Sequence, residues 1–173
     1  MGEASRISSE LLAERSYFRT AGELSIRIPA LPRAECFAVE RDTSPTEAIT
    51  LELTTIFLPE EERDRSVYPV MESEEYESRI ASTGTYLPLG YQHREWLLRH
   101  WDEHPALYRL LGELDICFPG SIMVRDGGVR CVPILTSFFP RKCDGGGPVI
   151  WVGDWKRLDY KFTFPDLIAV ARR

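Results

Sequence analysis

Lysine is missing from the first 80 residues of this 173-residue chain, and the whole of it contains only three histidines and four cysteines. None of the cysteines forms a C-x-x-C pair, so a zinc knuckle built from cysteines alone is excluded. Glycine-rich signatures are equally scarce. There is no G-x-S-x-G for a serine nucleophile elbow, no G-x-G-x-x-G for a dinucleotide, and no G-x-x-x-x-G-K-[ST] for a phosphate loop. No apolar run approaches the roughly 18–20 residues of a membrane-spanning helix. The start, Met1-Gly2-Glu3-Ala4-Ser5, lacks the basic and apolar regions of a secretory leader. Without such a leader, four dispersed cysteines are expected to be free thiols, and the expected location is the cytoplasm.

What is present is acid. The net charge of −6 divides unevenly. Residues 1–80 carry 17 acidic and 9 basic side chains, a balance of −8, and residues 81–173 carry 10 and 12, a balance of +2. The acids concentrate at Glu60, Glu61, Glu62 and Asp64 and again at Glu72, Glu74, Glu75 and Glu77. A field of this sign repels phosphate backbones, which argues against general nucleic-acid binding, and it attracts a basic protein surface.

The periodicities give one α+β domain over residues 1–173. Its antiparallel strands fall in two groups, at about 23–57 and 120–164, with helices at the N-terminus and at about 91–113. Ser8-Ser9-Glu10 caps a first helix that stops near Gly22. Leu24, Ile26 and Ile28 alternate as a half-buried strand, residues 36–40 form another, and residues 48–57 place Ile49, Leu51, Leu53 and Phe57 on one face. Loop signals occur at Thr83-Gly84 and Pro88-Leu89-Gly90. Residues 91–101 form the clearest helix, with Tyr91, Leu97, Leu98 and Trp101 on its apolar side, and Pro105 begins a second. Arg125-Asp126-Gly127-Gly128 marks a tight hairpin. Pro133 places the following strand at an edge. Strands at 149–152 and 158–164 flank a turn at Gly153-Asp154-Trp155-Lys156, and Pro165-Asp166 starts a terminal helix.

Two constellations suggest chemistry. His100-Trp101-Asp102-Glu103-His104 fits the H-x-x-E-H pattern of inverted zinc proteases, and His93 lies on the same helical stripe. Against it, Pro105 drives His104 out of helical geometry, and the only later glutamate that could serve as third ligand is Glu113. Cys143 sits in Pro140-Arg141-Lys142-Cys143-Asp144-Gly145-Gly146-Gly147-Pro148, where two cations favour a thiolate. The other cysteines, Cys36, Cys117 and Cys131, read as core residues, as do most of the second-half aromatics, a set that includes Phe138, Phe139, Tyr160, Phe162 and Phe164. Trp155, in its expected turn, reads as an exposed anchor for a partner.

The leading reading is a non-catalytic protein-binding protein: an inhibitor, immunity factor or adaptor. Glu60, Glu61, Glu62, Asp64, Glu72, Glu74 and Glu75 would steer a basic protein partner, Trp155 would supply contact energy, and no cofactor is expected. The alternatives are a small metal- or thiol-dependent enzyme using His93, His100 and His104 or Cys143, and a viral or mobile-element accessory protein that antagonises a host factor.

Overall fold

A computed structural model describes residues 26–35, 38–54, 70–71, 86–108, 115–138, 150–160, 162–163 and 167–172. The expected N-terminal helix, the acidic runs at 60–64 and 72–77 (with Met71 the last described residue before the second), Cys36 and Cys143 lie outside these residues.

Strands β1 (Ile26–Ile28), β2 (Val39–Asp42) and β3 (Ile49–Thr54) come first, then β4 (Val70–Met71) and β5 (Tyr86–Pro88). Helix α1 (Tyr91–His100), a 3-10 turn at Trp101–Glu103 and α2 (Pro105–Tyr108) follow. The remaining strands are β6 (Ile116–Cys117), β7 (Ser121–Arg125), β8 (Val129–Phe138), β9 (Ile150–Arg157), β10 (Phe162–Thr163) and β11 (Leu167–Arg172). In β3 the alternation works as the sequence requires, with Ile49, Leu51 and Leu53 buried. The β7–β8 hairpin closes through Gly127 and Gly128, both at positive φ.

Nine strands form one mixed sheet, so the two expected strand groups are joined. The β2–β7 pair joins them directly, and β11, which lies where the sequence predicts a terminal helix, links β3 to β6. Its run Ile168, Ala169, Val170 and Ala171 is buried throughout, at 4% exposure or less. An uninterrupted apolar segment of this length suits a strand covered on both faces, and here that environment overrides the helix signal of Pro165-Asp166. β11 pairs antiparallel with β3 and β5 and parallel with β6. Ala169 and Ala171 face one core cluster with Leu51, Leu97, Phe118 and Trp151, while Ile168 and Val170 face the other with Ile122, Val132 and Leu158. β10 pairs with β4 as a separate two-stranded unit, and residues 158–160 form a turn in place of the first part of the expected last strand. Tyr86–Pro88 is a short strand where only loop signals are legible, and the second strand covers 39–42, while residues 36 and 37 of the expected 36–40 lie outside the described residues.

Two further expectations are corrected. Pro133 is central, because β8 is flanked by β9 on one side and by β6 and β7 on the other. It is tolerated there because the neighbouring strand changes opposite it: Cys117 of β6 pairs with Ile134 and Met123 of β7 with Cys131, and Phe118, between the two strands, meets Pro133. The Pro133 carbonyl accepts from Phe118 N–H at 2.9 Å, and no strand partner requires the N–H that proline lacks. β9 runs unbroken from Ile150 to Arg157 through the expected turn, paired with β8 from Cys131–Arg157 to Phe138–Ile150. Gly153 marks a close crossing: a Cβ there would lie 3.2 Å from Arg94 Cζ and 3.3 Å from Leu98 Cδ2 of α1.

Candidate functional site

Helix α1 begins at a buried polar corner made by β2, β7 and its own first turn. Gly90 is its N-cap, in extended conformation. A Cβ on Gly90 would overlap Ser121 Oγ and stand 2.7 Å from Ser44 Oγ, so these two hydroxyls occupy the space of the missing side chain. Ser121 Oγ accepts from Tyr91 N–H at 2.9 Å and thus supplies the cap from another strand. Asp42 anchors the corner, accepting from Ser44 N–H at 3.0 Å and from the Ser44 hydroxyl. Gln92 Nε2 donates to Ser44 Oγ at 2.6 Å, and Gly90 N–H donates to His93 Nδ1 at 3.2 Å.

The buried face of α1 is therefore Gln92, His93, Arg94 and Leu97, rotated from the expected stripe of Tyr91, Leu97, Leu98 and Trp101. Only Leu97 belongs to both. Polar residues face inward because the corner and β9 give them partners, information that lies far away in sequence. His93 is fully enclosed, and burial pushes its pKa down to about 4 against the opposing pull of Asp42, the Gly90 backbone and Glu47. A neutral ring that accepts at Nδ1 carries its proton on Nε2, and that nitrogen has no partner among the described residues. In this arrangement Nδ1 is committed to the Gly90 amide.

The other two histidines stand apart from this corner. His100 Nδ1–H donates to Trp96 O at 2.7 Å, and its ring stacks on Trp96 at 4.4 Å. His104 packs on Trp96 at 5.8 Å. The α-helix ends at His100 and a 3-10 turn intervenes, so the two rings lack the helical i, i+4 relation of a zinc-protease motif. Among the described residues, no group of three or more His, Cys, Asp or Glu side chains is placed to hold a metal ion. The corner also fails as a nucleophilic triad, because Ser44 donates to Asp42 and His93 Nδ1 is taken by a backbone amide.

Trp155 lies mid-strand and half-buried. Its ring stacks on Tyr91 at 5.7 Å, and the Arg94 guanidinium sits 4.7 Å from both ring centroids. Arg94 is held in turn by Asp154 O at 2.8 Å and Glu95 Oε1 at 2.6 Å. This cluster pins α1 to β9. Cys117 and Cys131 are buried, as the core reading expects, and burial raises the pKa of Cys131.

Protein-family models, curated proteins and solved structures give no match to this chain.

The far side of the β8–β9 ribbon holds what the sequence did not mark. Phe138 and Ile150 are cross-strand neighbours, 53% and 38% exposed. Thr136 and Val152, the next pair on that face, are half-buried. Trp151 and Gly153 point the other way, toward α1. Among the described residues β9 pairs with β8 alone. Pro133 cannot donate, and its carbonyl turns to Phe118, so Trp155 opposite it directs its backbone groups outward. By alternation Trp151, Gly153 and Arg157 do the same. Asp154 Oδ1 accepts from Trp155 N–H at 2.8 Å and blunts that edge.

Proposed function

We propose that the chain is a protein-binding protein that docks its partner on the exposed end of the β8–β9 ribbon, at Phe138 and Ile150. The observation that carries this reading is the exposed cross-strand pair Phe138–Ile150. Two large apolar side chains side by side on a paired ribbon are costly to leave in water, and their hydrogen-bonded backbone lowers the entropic cost of a contact. Trp155, which Arg94 and Tyr91 already engage, then supports the ribbon instead of serving as the anchor. The acidic segments around Glu60, Glu61, Glu62 and Asp64 and around Glu72, Glu74 and Glu75 favour a basic partner by steering its approach.

The test is affinity capture from the native host with quantitative mass spectrometry, comparing the wild type with Phe138→Ser/Ile150→Ser. A protein retained by the wild type and reduced about tenfold or more by the double substitution, a loss of roughly 1.4 kcal/mol or more, is the expected result. Equal retention by both proteins contradicts the placement of the surface.

A further inference from the structure

In a capping box, a Glu or Gln at the third helical position accepts a hydrogen bond from the N-cap amide. In α1 that position is His93, and Nδ1 is the accepting atom. A carboxamide does this at any pH, whereas an imidazole does it only while Nδ1 keeps its lone pair. We propose that His93 is a titratable helix cap whose protonation releases the N-terminus of α1 from the corner formed by β2 and β7.

The step is simple in atoms: one proton from water bonds to Nδ1, the Gly90 N–H···Nδ1 bond breaks, and two N–H groups then face each other. The new positive charge lies at the positive end of the α1 dipole and inside a fully enclosed site. The charged groups that bear on the ring are Asp42, on β2, and Glu47, between β2 and β3; both are acids that favour proton uptake. The neighbours of His93 transmit the change. Tyr91, which Ser121 caps, and Arg94, which Asp154 O holds, belong to the same first turn. The Tyr91–Trp155 stack therefore opens when that turn lifts. The inference is independent of where a partner binds.

The experiment follows the ¹⁵N signals of the His93 ring and the Gly90 amide resonance together as the pH is lowered, in the wild type and in His93→Gln. At neutral pH the wild-type ring should be the Nε2–H tautomer. On acidification its protonation and the loss of the Gly90 hydrogen bond should share one midpoint. His93→Gln restores a non-titrating acceptor, so its Gly90 bond should survive to a pH lower by about one unit or more. A Gly90 amide that stays bonded while the ring protonates overturns the proposal, as does loss at the same pH in both proteins. Should His93→Gln fail to fold, the wild-type titration decides by itself, since separate midpoints for His93 and Gly90 also overturn it.

Discussion

His93 is neutral at pH 7 because its ring is enclosed, and this makes it a determinant of stability as well as of capping. An unfolded-chain histidine protonates near pH 6.5, whereas the folded pKa is about 4. Between these values the unfolded state binds a proton that the folded state does not. The contribution of His93 to stability is thus intact above about pH 6.5 and is lost as the pH falls toward 4, reaching about 3 kcal/mol. Denaturant unfolding at pH 7 and pH 4 should show a loss about that much larger in the wild type than in His93→Gln; equal losses contradict the assignment. Gly90 gives a second prediction at this scale. A methyl group placed against Ser121 Oγ and Ser44 Oγ must displace hydroxyls that are themselves hydrogen-bonded. Gly90→Ala should destabilise by about 1–3 kcal/mol in equilibrium unfolding, and a neutral effect would mean that the corner yields easily. None of this is legible in the sequence. Gly90 reads as a loop residue, and Asp42, Ser44 and Ser121 lie too far apart in sequence to be recognised as one cap.

Among the elements, α1 and β11 carry the most weight. Leu97 is fully buried where α1 meets the core, so Leu97→Ala should cost about 2–5 kcal/mol in thermal or chemical unfolding. A cost below about 1 kcal/mol would mean that α1 is not fixed on the sheet as described. Helix α1, the alternation in β3 and the Asp126-Gly127-Gly128 hairpin could all be read directly, because each depends on residues adjacent in sequence. β11, the continuity of β9 and the central position of Pro133 could not. Ile168, Ala169, Val170 and Ala171 carry no period, so only their burial on two faces distinguishes strand from helix. Gly153 resembles a turn residue until α1 is seen to cross it, and Pro133 resembles an edge residue until the change of strand between Cys117 and Met123 is located. The H-x-x-E-H pattern misleads for a related reason: its two histidines end up against Trp96.

For the whole molecule, one sheet unites the first and last thirds of the described chain, and no helix among the described residues is long and apolar enough to cross a membrane. The charge asymmetry remains a property of the sequence, and its consequence is kinetic. If the acidic segments steer a basic partner, association should slow several-fold as ionic strength rises from about 0.02 to 0.15 M. Replacing Glu60, Glu61, Glu62 and Asp64 with glutamine and asparagine should flatten that dependence. An on-rate insensitive to salt contradicts steering. The docking surface is the more central claim, and hydrogen exchange on the complex with the captured partner tests it most directly. The account requires new protection around Phe138 of β8 and Ile150 of β9. Protection confined to other segments, with this ribbon exchanging as it does in the free protein, would contradict it.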